Sequence, residues 1–373
     1  MLSKFKVIGS ATLLAAVTIL SPAAVSAKDF GKPGEKVDLV IGFQPYYSES
    51  WSGVVNSSKQ FWKKYLPEGS TATFQVGLQG AIIVNAMTGE KQDIGYVGDM
   101  PGIAATFRNR PDRGGTDIRI VAAIGTSKQQ CNIFMVRTDA PEFADGKAAL
   151  KWMDGKIVSS PHGSCTDRFA RLAFEQTGIT PGSYLNQNIE VITTNFRAGK
   201  LDATVIWEPT ASKIAAAGLA RRVASGEDFD ALDGGLMIML NDLIQQRPDV
   251  VKGWLNSELD AQLFVADLNN ATAVSEMAEE ATEQIDRKVL WSSLYGAPEG
   301  SVKVQFDFAI NDRVKSLLKD ATAFLYSLPK KPAASEAIRE DGIMPQFAEE
   351  ILKERGLTSP VGTVIGQPDS AYK

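Results

Sequence analysis

The chain has 373 residues, 44% of them apolar and 22% charged, which are globular values over a length that suits about two hydrophobic cores. A formal charge of −5 gives nucleic acid no electrostatic foothold, so no nucleic-acid partner is expected. Two cysteines, Cys131 and Cys165, with one histidine, His162, fall short of the four N/S ligands of a structural zinc site; neither metal nor cofactor is expected.

The first 27 residues read as a secretory signal peptide: Lys4 and Lys6 precede an apolar run from Val7 to Leu20, and Val25-Ser26-Ala27 has the small-residue pattern of a cleavage site. A mature form starting near Lys28 would carry about −7, because the leader holds two lysines and no acid. No later stretch reaches the roughly 20 apolar residues of a membrane helix. The expected location is a bacterial periplasm, where Cys131 and Cys165 meet oxidising conditions; the sequence leaves open whether they pair.

Val37–Phe43 alternates as a strand and delivers the polar, aromatic loop Gln44-Pro45-Tyr46-Tyr47. Trp51, Val54, Val55, Phe61, Trp62 and Tyr65 recur at helical spacing until Pro67-Glu68-Gly69. Thr71–Val76 is a strand, Ala81–Met87 a helix entered through Gly77-Leu78-Gln79-Gly80, and Asp93–Val97 a third strand. This β-α-β-α-β order predicts a mainly parallel sheet with helical crossovers.

The same grammar then repeats. Ile118–Ile124 and Asn132–Val136 read as strands around a Gly125–Gln130 loop, Lys147–Met153 as a helix and Lys156–Ser159 as a strand. Ser164-Cys165-Thr166-Asp167 has the Ser-x-x-Asp form of a helix start, and Gly178 closes that helix. Ile189–Thr193 and Ala203–Trp207 read as strands, Pro209–Ala217 as a helix, and Leu236–Leu240 as a strand. The remainder is largely helical, over Pro248–Leu268, Ala271–Ile285, Asp312–Leu328 and Met344–Arg355.

Several segments, in this order, resemble the nitrate/sulfonate/taurine class of periplasmic binding proteins, which includes thiamine-precursor-binding relatives. Asp93–Pro101 is similar to that family's third strand and cleft loop, and Lys147–Ser160 to its entry into the second domain. Phe169–Pro181, Gly199–Ala203 and Trp207-Glu208-Pro209 continue the match, which runs from about Val37 to Val223. The approach Asn195–Lys200 departs from the usual pattern, and Val302–Phe308 matches nothing in it. The resemblance implies a type II periplasmic-binding fold, two α/β lobes joined by two crossing segments that close on a ligand. It assigns Lys28–Thr126 and Gly235–Lys373, with a helical tail, to lobe one and Ser127–Gly234 to lobe two. It also implies a monomer that captures a small anionic or zwitterionic solute (sulfonate, taurine, nitrate, bicarbonate) and delivers it to the membrane permease of an ABC transporter.

In open α/β sheets ligands sit beyond the carboxyl ends of strands, so the turns there are the candidate site. They supply Gln44, Tyr46 and Tyr47; Gln79 and Gly80; Asp99 and Met100; Thr126; His162, Ser164, Cys165 and Thr166; and Trp207 and Glu208. Gly77–Gly80 and Gly163–Thr166 open directly into helices, whose free N–H groups and positive dipole ends favour oxyanions; ordinary capping is the plainer role for the same residues. Asp99 and Glu208 would repel an anion, so either they point away or the ligand carries an amine, as taurine does. Arg168 and Arg171, one turn into the second-lobe helix, read as solvated, and Trp51 as part of a buried helical stripe.

An enzyme is the rival reading, with Cys165 at a helix N-terminus as nucleophile and His162 as base. Residues this close before a helix usually point apart, and no third group orients the base. Among relatives of the fold, pyrimidine-forming thiamine-precursor synthases carry a cysteine-rich motif absent here, and sulfinate-cleaving relatives are cytosolic. A sensor that presents its ligand to a receptor, or a pyrimidine binder, would use the same cleft.

Overall fold

The computed structural model describes residues 28–108, 116–283 and 285–373, so the leader reading of the first 27 residues lies outside them. In chain order the elements are β1 (Asp38–Phe43), α1 (Ser52–Lys59), β2 (Thr71–Val76), α2 (Gly80–Thr88), β3 (Ile94–Gly98), α3 (Asp99–Arg108) and β4 (Ile118–Ser127). Next come β5 (Ile133–Arg137), α4 (Gly146–Trp152), β6 (Ile157–Ser160), α5 (Cys165–Thr177), β7 (Ser183–Asn186), α6 (Ile189–Arg197), β8 (Ala203–Ile206), α7 (Thr210–Ala216) and β9 (Ala220–Ser225). The last part comprises β10 (Asp233–Leu240), α8 (Asn241–Gln246), α9 (Pro248–Ala266), α10 (Ala271–Thr282), α11 (Arg287–Tyr295), β11 (Val302–Phe306), α12 (Asp312–Ser327), α13 (Gln346–Arg355) and β12 (Gly362–Ile365).

The strands form two sheets, one of seven in the order β12-β11-β4-β10-β3-β1-β2 and one of five in the order β7-β6-β8-β5-β9. The chain passes from the first to the second between Ser127 and Ile133 and returns between Ser225 and Asp233. At that junction β4 and β10 lie side by side, with Ser127 opposite Asp233 and Thr126 opposite Gly234. This is the α/β, two-lobed architecture of the type II periplasmic-binding fold. Within each sheet most strands share a direction. The reversed ones include β10 and β5, the strands that follow each crossing, together with β11.

The first sheet has one continuous core, in which Ile41, Ile94, Met237 and Ile238 pack with Trp254, Leu290, Val314 and Ile351 from the C-terminal helices. The second sheet is covered on two faces, by a cluster around Phe134, Phe169 and Val205 and by another around Ile133, Ile192, Ile206 and Trp207. Tyr47 of the first lobe belongs to the latter cluster, so the lobes share apolar contact at their junction.

Two expectations are corrected. The run from Trp51 to Tyr65 is not one helix: α1 ends at Lys59, and Gln60 takes a left-handed φ of 56° before a short 3₁₀ turn. Ile189–Thr193 is helical, not extended. Its β-branched residues favour strands, but Asn188 caps the segment by accepting from Val191 N–H, and Ile189, Ile192, Thr193 and Phe196 bury one helical face. The strand next to β6 is instead Ser183–Asn186. The stretch at Val302–Phe308 begins as β11, which with β12 extends the first sheet beyond β4.

Candidate functional site

Between the lobes lies a cavity of about 60 Å³, lined from the first lobe by Gln44, Tyr47, Gln79, Gly80, Ala81, Gly98 and Pro101. The second lobe contributes Pro161, His162, Gly163, Ser164, Cys165 and Trp207. These residues sit just beyond β1, β2, β3, β6 and β8, as strand-end binding requires. One water needs about 10–15 Å³ of such space, so the cavity suits a ligand of a few heavy atoms.

Helices α2 and α5 point their N-termini at this cavity from opposite lobes. The residue before α2, Gln79, is extended and makes no side-chain capping bond; neither does Ser164 before α5, whose hydroxyl turns back to Pro161 O at 2.6 Å. The first N–H groups of a helix have no intrahelical acceptor, so both tips present donors and a partial positive charge. His162 adds a buried Nε2 with no hydrogen-bond partner among the described residues. Its ring lies 4.6 Å from that of Tyr184, and its backbone N–H donates to Asn186 Oδ1 at 3.0 Å. Burial lowers the imidazole pKa below its ordinary value, more than the neighbouring Asp167 raises it.

Eight of the residues expected at the site line the cavity: Gln44, Tyr47, Gln79, Gly80, His162, Ser164, Cys165 and Trp207. Gln44 Nε2 donates to Tyr96 O at 3.1 Å, and Trp207 Nε1 donates across the lobes to Tyr46 O at 2.8 Å. Tyr46 stands just behind, its hydroxyl donating to Thr282 O at 2.7 Å. Met100 is buried in the first core. Thr126 is held by Asp307 and Arg313, and the Thr166 hydroxyl by those of Ser160 and Ser164. Five further residues line it: Gly98, Pro101, Pro161 and Gly163 belong to the same strand-end turns, and Ala81, beyond the helix start, lies outside them.

Both acids turn away. Asp99 is fully buried, accepts from Met100 N–H at 2.7 Å, and pairs with Arg168 of the other lobe at 2.7 Å. Burial raises its pKa, opposed mainly by Arg168. Glu208 is also buried and is held within its own lobe by Arg222 and by the N–H and hydroxyl of Ser212, each at 2.9 Å. Arg168 is therefore not solvated: its side chain is 12% exposed and it also donates to Leu232 O. The signal that could have found it is Asp99 itself, since a buried carboxylate requires a cationic or hydrogen-bonding partner.

Cys131 and Cys165 form a disulfide, with Cα atoms 6.1 Å apart. Asp233 lies near both sulfurs, but cysteines joined to each other offer no thiolate to a metal or to a substrate. Behind Tyr47, its hydroxyl donates to Glu49 at 2.5 Å, and Glu49 accepts from Gly235 N–H at 3.2 Å. Burial raises the pKa of Glu49 well above the usual carboxylate range and that of Asp233 to about 7. A larger groove of about 840 Å³ runs along α5 and α12, with cations such as Arg171 and Arg313 interspersed with Glu175 and Asp320; the strand-end turns do not form it.

No protein-family model matches the chain, and neither does any curated protein. Solved structures do match. The alkanesulfonate-binding protein SsuA from Xanthomonas axonopodis pv. citri, bound to MOPS, superposes with a TM-score of 0.65 at 18% identity, over 84% of this chain and 99% of that one. The periplasmic nitrate-binding protein NrtA from Synechocystis PCC 6803 gives 0.64 at 15% identity, over 86% and 89%. This chain has their fold. The desulfurization enzyme DszB shares it as well, at a TM-score of 0.62 and 14% identity over 86% of this chain and 100% of that one. The fold by itself therefore admits both receptors and enzymes, and the site must decide.

Proposed function

We propose that this protein is the exported, solute-binding component of an ABC importer, capturing a small anion between its lobes and delivering it to a membrane permease. One observation carries this reading: two uncapped helix N-termini, one from each lobe, converge on a single small cavity that no carboxylate lines. Backbone N–H groups of both tips, with the amides of Gln44 and Gln79, replace the water that an oxyanion sheds as the lobes close. The likeness to SsuA and NrtA supports a solute of the sulfonate or nitrate class, and export fits the disulfide.

The disulfide also weighs against the Cys165-dependent enzyme. With Cys165 bonded to Cys131, the His162 and Cys165 pair has no nucleophile to offer. The test is a thermal-shift screen of the mature protein against nitrate, bicarbonate, small sulfonates and short carboxylates. A true ligand at about 100 times its Kd stabilises by about 2.7 kcal/mol, a shift of a few degrees. Turnover of a sulfinate or thioester that disappears in Cys165→Ser would replace the receptor reading with the enzymatic one.

A further inference from the structure

We infer that the cleft selects a singly charged oxyanion that bears no ammonium group, and that His162 is the titrating contact through which proton uptake strengthens binding. This rests on the anion-binding reading above and narrows it. No Lys, Arg, Asp or Glu is among the residues lining the cavity. The surrounding ion pairs, Asp99 with Arg168, Glu208 with Arg222 and Asp167 with Arg171, are each internally neutral, and Asp167 is further held by Gly163 N–H at 3.0 Å. What remains for the ligand is helix tips, amides and one imidazole.

A neutral cage of fixed dipoles discriminates by charge. Its attraction for an anion grows in proportion to the charge, whereas the cost of desolvation grows with its square. A dianion therefore gains about twice the attraction of a monoanion for about four times the desolvation. An ammonium group entering the same cavity would find no carboxylate and would be buried unpaired. The amine suggested by Asp99 and Glu208 thus loses its motive, because both acids already have arginine partners.

His162 supplies the proton linkage. Its Nε2 is buried without a partner, and the ring is fixed against Tyr184. The charged groups that act on it are Asp167 and Arg171 of α5, which are bonded to each other at 2.9 Å, so no net charge is added beside the ring. Tyr184, on the adjacent strand, is hydrogen-bonded to Asp167 at 2.9 Å, and Tyr47 faces the cavity from the other lobe with its proton committed to Glu49. In the empty protein burial favours neutral imidazole. A bound anion favours the imidazolium, so the bound pKa is the higher one. Added affinity is then full below the free pKa and disappears as pH rises through the bound pKa.

The experiment is calorimetric titration of the mature protein with nitrate, methanesulfonate, sulfate and taurine at about pH 8 and about pH 5.5, in wild type and His162→Gln. Expected is binding of nitrate or methanesulfonate, with sulfate at least about 30-fold and taurine at least about tenfold weaker, and a several-fold gain at the lower pH. In H162Q binding weakens and the gain vanishes. As His162 is the only histidine, its NMR titration in intact protein reads the linkage directly, and saturating monoanion must raise its pKa. Sulfate or taurine equal to the monoanion, or an imidazole titration unmoved by ligand, overturns the inference while leaving an anion receptor. Binding of none of the four overturns the receptor reading as well.

Discussion

Asp99 at the head of α3 and Arg168 on α5 form a 2.7 Å ion pair that crosses from one lobe to the other. The same guanidinium donates to Leu232 O on the returning segment, so one side chain ties α5, α3 and the crossing together. Truncating one partner leaves the other buried and unpaired. Arg168→Ala is expected to cost about 3–5 kcal/mol in denaturant unfolding, and the paired change Asp99→Asn with Arg168→Met to recover much of it. A loss below about 1 kcal/mol for the single variant would mean that water reaches the carboxylate and that the pair does not join the lobes.

Gly80 allows the tip of α2 to approach α3. A Cβ built there would lie 2.6 Å from Pro101 Cγ, whereas one at Gly89 would meet nothing nearer than 3.7 Å. Gly80→Ala should therefore destabilise by about 1–3 kcal/mol and weaken anion binding. Gly89→Ala should stay within about 0.5 kcal/mol. Equal affinity in both variants would remove the α2 tip from the site.

Two buried carboxyls give stability an uncommon pH dependence. Burial lifts Glu258 and Asp233 each to about 7, and Glu258 accepts from Tyr96 Oη and Gln262 Nε2, both at 2.9 Å. A carboxyl whose folded pKa is raised contributes stability that is fully present below its unfolded pKa and lost as pH rises through the folded one. Their contribution should thus decline between about pH 4 and about pH 7. Unfolding midpoints taken across that window should fall less steeply with pH in Glu258→Gln; an identical slope would show that Glu258 stays ionised in the native state.

The disulfide closes a loop spanning 34 positions. Chain-entropy arguments give about 4 kcal/mol for such a loop, so its loss should cost about 2–4 kcal/mol. Reductant should lower the stability of wild type to that of Cys131→Ser/Cys165→Ser and leave the double variant unchanged. Sensitivity of the double variant to reductant would contradict the pairing.

Much of the fold was legible because each lobe obeys local rules. Gly178 ends α5 in the left-handed conformation expected of it, and the strand-end turns at Gln44, Gln79 and His162 meet at one cavity as topology demands. The failures were tertiary. At Ile189 a β-branched run became helical because Asn188 and a buried face outweighed propensity. Gln60 broke a helix whose apolar spacing continues straight through it. The partners of Asp99 and Glu208 were invisible because Arg168 and Arg222 lie 69 and 14 positions away, and the choice between an exposed arginine and a buried one is made by packing.

The bond between Cys131 and Cys165 also has a mechanical meaning. Cys131 belongs to the segment that leaves β4, yet it is clamped to the first residue of α5, so the bond ties this end of the crossing covalently to the second lobe. On the outgoing side the pivot is confined to the four residues Ser127–Gln130, where Ser127 Oγ already accepts from the N–H groups of Gln129 and Gln130. In the receptor reading proposed above, torque from a ligand held at the α5 tip would reach that pivot through a covalent strut.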